Sequence, residues 1–189
     1  MDALITKLES LNTATKRTVD LLKTLFIKTE FKKGWMFGNG TWQSVPMLYY
    51  ISSGLVRGSV EVKEESYTLW MLENGFLIPS NGFLSQKGTS ETIEFLKHTQ
   101  AYVLNLMRAE KLAKDDQNLY KMLLEIYEEN LLDGRKRELM LRIPNAKNRL
   151  EYFKKNNPEL EKVMTDEHLA QMLRIDKKYY YSVKKRLAK

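Results

Sequence analysis

The stretch DEHLAQMLRIDKKYYYSVKKRL, residues 166–187, decides the reading of the chain. Leu169, Leu173, Ile175, Tyr180 and Val183 are apolar where two helices joined by a tight turn must face each other, and Ala170 is small where the first crosses the second. Asp166 and Glu167 suit the positive end of the first helix, and Asp176 is an N-cap residue type that opens the second. The pattern is a helix-turn-helix. The period that buries Tyr180, Val183 and Leu187 turns Lys177, Lys178, Tyr181, Ser182 and Lys185 outward. Three consecutive tyrosines (179–181) cannot share one helix face, so Tyr179 or Tyr181 presents its ring and hydroxyl to solvent. Lysines at a helix N-terminus oppose the macrodipole, and their placement makes sense if that end meets phosphates or base edges. Lys177, Lys178, Tyr179, Tyr181, Ser182 and Lys185 are therefore the expected DNA contacts. Arg174 stands where such turns usually carry glycine, and a left-handed turn residue with a side chain costs about 1 kcal/mol.

Charge points the same way. The chain has 189 residues and a net charge of +7, and the excess is confined to one end. Residues 135–189 hold 16 Lys+Arg against 7 Asp+Glu, whereas residues 1–134 hold 15 against 17. A polyanion-binding unit joined to a nearly neutral one gives this asymmetry. Charge alone is equally consistent with a solvated basic surface, so the helix-turn-helix carries the distinction. Upstream of it, Asp133-Gly134 reads as a hinge before the basic run at 135–137. A short helix from Ala146 to Lys155 follows, closed by Asn156-Asn157-Pro158.

Residues 1–27 carry Leu4, Leu8, Leu11, Val19, Leu22 and Phe26 at helical spacing, in two pieces broken near Asn12-Thr13. From 29 to 104 the texture changes. Eight of the nine glycines fall there, among short runs rich in Val, Ile, Tyr, Phe and Trp: 47–51, 55–62, 67–72, 91–96 and 101–106. Alternation and turn spacing give an antiparallel sandwich or barrel. From Arg108 to Leu132 the pattern is helical again, with Leu112, Leu119 and Ile126 on a seven-residue period beside Met122 and Leu123. Docking on its own domain is one use of that stripe. Its narrowness, set by Asp115, Asp116, Glu125, Glu128 and Glu129, favours a dimer seam made of Leu112, Leu119, Met122, Leu123 and Ile126.

Several chemistries are excluded. There is no cysteine, so no disulfide framework, thiolate zinc site, iron–sulfur cluster or Cys nucleophile. His98 and His168 are far apart and fit neither a metal triad nor a catalytic triad, so no metal, cofactor or catalytic residue is expected. Trp35, Trp42 and Trp70 read as core or pocket wall rather than as a stacking platform for bases. No apolar run approaches the ~20 residues that span a bilayer. The opening MDALITKLES lacks the pattern of a secretory signal, which leaves the cytoplasm as the expected compartment.

The order of parts, a β-rich unit, a long junction helix and a helix-turn-helix, resembles the cyclic-AMP-receptor/fumarate–nitrate-regulator (Crp/Fnr) superfamily of transcription regulators. YYISSGLVR (49–57) is the most specific phrase, within a segment (30–62) that resembles the first strands of that family's cyclic-nucleotide-binding jelly roll. Residues 74–104 are similar to the segment with its phosphate cassette, and NAKNRLEYFKKNNPEL (145–160) to its winged-helix domain. The resemblance implies an α+β chain: a β jelly-roll sensor at 1–106, a dimerisation helix and hinge at 107–134, and a winged helix-turn-helix domain at 135–189. It places an effector pocket at Pro79, Ser80, Asn81, Thr89 and Ser90.

The departures are informative. Pro79-Ser80-Asn81 replace the Gly-Glu that holds the ribose in nucleotide-binding members, and no arginine occurs between Arg57 and Arg108 to pair a cyclic phosphate. Lys87 is a point charge in an expected exposed turn. Cyclic AMP is therefore not the expected ligand. Lys178 and Ser182 stand where the family commonly places Glu and Arg, so the family's DNA site does not transfer. The expectation is a homodimeric DNA-binding regulator, not an enzyme, with a degenerate effector domain. Its partners are double-stranded DNA and a second copy of itself, and the resemblance admits RNA polymerase and an unidentified small-molecule effector. The alternatives are a sensing or protein-interaction module with only non-specific DNA affinity, and a cupin-type enzyme, which the lack of a histidine cluster opposes.

Overall fold

The computed structural model describes residues 1–38, 46–78 and 91–187. Trp42, Lys87, the five expected pocket residues Pro79, Ser80, Asn81, Thr89 and Ser90, and the side chain of Leu187 lie outside the described residues.

Among the described residues, two short helices, α1 (Asp2–Glu9) and α2 (Lys16–Leu25), precede eight strands: β1 (Ile27–Phe31), β2 (Met36–Gly38), β3 (Met47–Ser53), β4 (Val56–Val62), β5 (Glu65–Leu72), β6 (Gly75–Leu77), β7 (Glu91–Phe95) and β8 (Thr99–Asn105). The strands form two antiparallel four-stranded sheets in the orders β1-β8-β3-β6 and β2-β7-β4-β5. Tyr49, Ile51 and Ala101 of the first sheet meet Val56, Ile93 and Phe95 of the second. Aromatic rings fill the space between them: Phe31 stacks on Phe95 at 4.2 Å, and Phe37 and Trp35 pack alongside. Gly58 allows a close approach, because a Cβ there would lie 2.1 Å from the ring of Trp70. The indole of Trp70 donates to Glu91 at the start of β7.

Helices α3 (Leu106–Ala113) and α4 (Gln117–Arg142) follow, then α5 (Ala146–Asn156), α6 (Pro158–Val163), α7 (Asp166–Met172) and α8 (Lys177–Leu187). The described residues from Ala146 onward form no strand. The expected 108–132 helix is thus two helices, broken at Lys114–Asp116, where Asp116 Oδ1 accepts from the amides of Asn118 and Leu119 at 3.0 and 3.1 Å. The expected hinge at Asp133-Gly134 is not a break. Helix α4 runs through it to Arg142, with the Lys136–Asp133 pair spanning Gly134 and the Arg142–Glu138 pair following one turn later. A single helical glycine costs only about 1 kcal/mol, which a packed helix absorbs. Helix α6 was not expected, since Pro158 reads as a stop. It sits instead at the first position of α6, where its missing N–H leaves nothing unbonded.

The dimer seam expected on α4 needs correction. Leu119, Met122 and Ile126 are fully buried in the chain's own core, against Leu4, Leu8, Leu11 and Leu22 of α1 and α2, with Leu123 packed at its edge. Leu112 belongs to α3, on a different helix axis. The N-terminal helices share that stripe with Leu48, Tyr50, Tyr102 and Leu104 of the first sheet in one core, so α4 closes a cluster that the sheet and α1–α2 begin. The apolar residues of α4 left exposed are Tyr120, Leu124, Tyr127 and Leu131, at spacings of four, three and four, with Leu132 beside them and Leu139 two turns further on.

A second core joins the helical unit to the roll. Leu150, Phe153, Leu169, Leu173, Tyr180 and Val183 pack with Met140 of α4 and with Leu55 and Met71 of the sheet.

Candidate nucleic-acid interface

The turn between α7 and α8 is built by backbone rules. Leu173 ends α7 and Arg174 takes φ of 50°, the left-handed conformation expected of it. The amide of Ile175 donates to the carbonyl of Ala170 at 2.9 Å and that of Arg174 to Gln171 at 3.1 Å, the paired bonds of a Schellman motif. Arg149 Nη1 adds a 2.5 Å bond to the Leu173 carbonyl, covering another open acceptor at the end of α7. Asp176 Oδ1 accepts from the amides of Lys178 and Tyr179 at 2.9 and 3.1 Å, and so caps α8. Thr165 caps α7 in the same way through the amide of His168.

With both ends fixed, the rotation of α8 is set by what it buries. Tyr180 is 1% exposed, and its hydroxyl donates to Asp166 at 3.3 Å. Burial and the Asp166 carboxylate push that phenol far above its ordinary pKa, so it stays a donor. Tyr179 and Tyr181 stand on the open face at about half exposure, together with Lys178 and Lys185, while Ser182 is half-buried. Lys177 is exposed and lies 3.5 Å from Glu167, and Lys184 pairs with Asp166 at 2.6 Å. All six residues expected to touch DNA thus fall on or beside one solvent-facing strip, and Arg186 extends it.

The other side of α7 rests on the roll. Gln171 Oε1 accepts from Arg57 at 3.3 Å, and Arg57 also pairs with Glu94 at 2.6 Å. Arg174 lies over the ring of Tyr67. His168 has a buried Nδ1 without a partner among the described residues, and burial followed by the nearby Arg57 holds its pKa below the ordinary histidine value. It stays neutral at physiological pH. His98 is exposed and sits 3.5 Å from Glu30. Sequence reasoning did not find this docking surface, because its signal is one of position: Arg57, Tyr67 and Glu94 are unremarkable polar residues of strands.

Among the described residues there is no group of three His, Asp or Glu side chains able to hold a metal, and no helix long and apolar enough to cross a membrane.

No protein-family model matches the sequence, and no curated protein matches it at the sequence level. Solved structures do match. FixK2 from Bradyrhizobium japonicum aligns with a TM-score of 0.71 over 86% of this chain and 84% of that one, at 14% identity. CLP from Xanthomonas campestris, a c-di-GMP-responsive global regulator, aligns at 0.68 over 92% of both chains with 15% identity. A Crp/Fnr-family regulator from Eubacterium rectale aligns at 0.63 over 91% of this chain and 82% of its own, with 18% identity. The chain has the Crp/Fnr fold. In Crp/Fnr terms, β1–β8 are the cyclic-nucleotide-binding-like roll, α4 is the long junction helix and α5–α8 are the helix-turn-helix unit. At these identities the alignment speaks to architecture, so the chemistry of α8 and of the roll rests on this chain's own residues.

Proposed function

We propose that the protein is a homodimeric DNA-binding transcription regulator of the cytoplasm, without enzymatic activity. The observation that carries this reading is α8: a helix anchored at its capped start and through Tyr180, whose open strip offers Lys178, Tyr179, Tyr181, Ser182 and Lys185 and little acid. A helix so presented fits a major groove, with lysines on phosphates and the tyrosine and serine hydroxyls on base edges. Two copies pair through the exposed row Tyr120, Leu124, Tyr127 and Leu131, whose four-three-four spacing is that of a coiled-coil seam. The pair of α8 helices then reads half-sites about one helical turn, ~34 Å, apart. In this reading 1–106 is the sensor, 107–134 the dimerisation segment and 135–189 the DNA-binding unit, with α4 continuing past 134 to Arg142. The aromatic filling between the sheets, above all the Phe31–Phe95 stack, supports a roll that has given up cyclic AMP.

Fluorescence anisotropy across a salt series tests the reading. Binding to particular genomic duplexes should survive salt that removes random duplex, whereas equal loss on both would leave only non-specific affinity. The second reading, a sensing module without base readout, draws on Lys178 and Ser182, which are poorer base readers than an acid–arginine pair.

A further inference from the structure

A cavity of about 440 Å³ opens at the junction of all three parts of the chain, between the β5–β6 turn, the C-terminal half of α4 and the α5–α6 corner. Its volume lies in the range of small-molecule sites. The floor is apolar and adaptable, made of Met71, Met140, Phe153 and Met172, all nearly fully buried. Two opposite charges line it without meeting. Arg137 forms no hydrogen bond or ion pair among the described residues, although burial has stripped enough water from its guanidinium to lower its pKa. Glu73 forms no ion pair either, and burial raises its carboxyl. The other charges on the wall pair with neighbours, Asp133 with Lys136 at 2.9 Å and Glu159 with Lys162 at 2.6 Å, while Asp133 also acts on Arg137 and Glu159 on Glu73 through space. Asp133 and Glu91 act on the half-buried guanidinium only through space, and the half-buried carboxylate is met only by the backbone amides of Glu73 and Asn74, so each keeps capacity for a charged partner. A guest with an anion for one and a cation for the other would satisfy both.

We infer that this junction cavity binds a free α-amino acid with an apolar side chain, its carboxylate on Arg137, its ammonium on Glu73 and its side chain on the methionine floor. Because its walls come from the sheet, α4 and the helix-turn-helix unit, an occupant ties the position of α8 to the sensor. Only that last step rests on the DNA-binding reading.

Isothermal titration calorimetry on the full chain tests the site without DNA, with L-leucine, L-methionine and L-phenylalanine as probes. Saturable binding of at least one is expected below about 10 mM, where even a Kd near ~1 mM is resolved. 4-Methylpentanoate, which lacks the amine, and isoamylamine, which lacks the carboxylate, should each bind about tenfold or more weakly, as loss of one charged hydrogen-bond partner implies. Arg137→Gln and Glu73→Gln should each weaken the amino acid by a similar factor while keeping the far-UV spectrum. Arg137→Lys, which keeps the charge and loses the fork, should fall between. Absence of saturation by all three amino acids overturns the proposal, as does unchanged affinity in the folded variants. Adding the bound probe to the anisotropy assay then reads coupling. Failure of DNA binding itself would leave the calorimetric result standing.

Discussion

The guanidinium of Arg174 lies over the ring of Tyr67, 5.2 Å from its centroid, so the residue that turns α7 into α8 also clamps the turn to β5. This explains why a left-handed position carries a long cationic side chain where glycine would be free of strain. The cost of the conformation, about 1 kcal/mol, is offset by a cation–π contact of ~0.5–1 kcal/mol at an exposed site. Arg174→Ala keeps the strain and loses the contact, and should lower stability by about 1 kcal/mol. Arg174→Gly loses the contact and removes the strain, and should be near neutral. Urea unfolding of both, repeated in a Tyr67→Leu background, should show the Arg174→Ala cost shrinking when the ring is gone.

The two apolar stripes of α4 give opposite mutational signatures. Leu119 is fully buried under α1 and α2, so Leu119→Ala should cost about 2–5 kcal/mol as a core truncation. Leu124 and Leu131 are half exposed or more, so Leu124→Glu with Leu131→Glu should leave the protomer's unfolding midpoint nearly unchanged. Sedimentation should show that double variant as a monomer at concentrations where the parent is a dimer. A dimer that persists in the double variant would place the interface elsewhere.

The ambiguity on α4 shows where sequence stops being sufficient. The strands at 47–51, 55–62, 67–72, 91–96 and 101–106 were legible because alternation and glycine punctuation are local signals, and each coincides with a strand of the roll. The capped, tightly turned pair α7–α8 was legible for the same reason, down to Asp176 and the conformation of Arg174. Which face of α4 turns inward is not local. Both Leu119-Met122-Ile126 and Tyr120-Leu124-Tyr127-Leu131 satisfy a helical period, and the choice is made by α1 and α2, a hundred residues away in sequence. Gly134 and Pro158 misled because each residue has two meanings. A glycine inside a packed helix is no hinge, and a proline can begin a helix as readily as end one.

The N-terminal helices make an acid-sensitive attachment. Glu125 of α4 accepts from the amide and hydroxyl of Thr13 at 2.8 and 2.6 Å, and from the amide and side chain of Asn12 at 2.7 and 2.9 Å. Burial pushes its carboxyl up, but the four donors outweigh this and bring it down to about 2. In the unfolded chain the group titrates near ~4.3. A depressed folded value means that its stabilisation is complete above the unfolded pKa and is lost as pH falls from about 4.3 toward 2. Melting temperature followed over that window should drop in the parent. In Glu125→Gln the curve should start lower and be flatter, and an unchanged slope would show that other carboxylates govern the acid transition.

On α8, charge and shape should separate in the salt dependence of DNA binding. Lys178 and Lys185 are exposed and without an ion-pair partner among the described residues, whereas Lys177 and Lys184 lie against Glu167 and Asp166. A lysine that neutralises one phosphate contributes about one unit to the slope of log K against log salt. Lys178→Ala and Lys185→Ala should each lower that slope by ~1 and weaken specific and random duplexes alike. Lys184→Ala should change the slope less, because its charge is partly spent on Asp166. Tyr181→Phe removes only a hydroxyl and leaves the backbone contacts in place. If that hydroxyl reaches a base, the slope stays constant while the ratio between preferred and random duplex falls by about tenfold, the ~1–3 kcal/mol of one base contact. An unchanged ratio would assign Tyr181 to sugar or phosphate and move base readout to Tyr179 and Ser182.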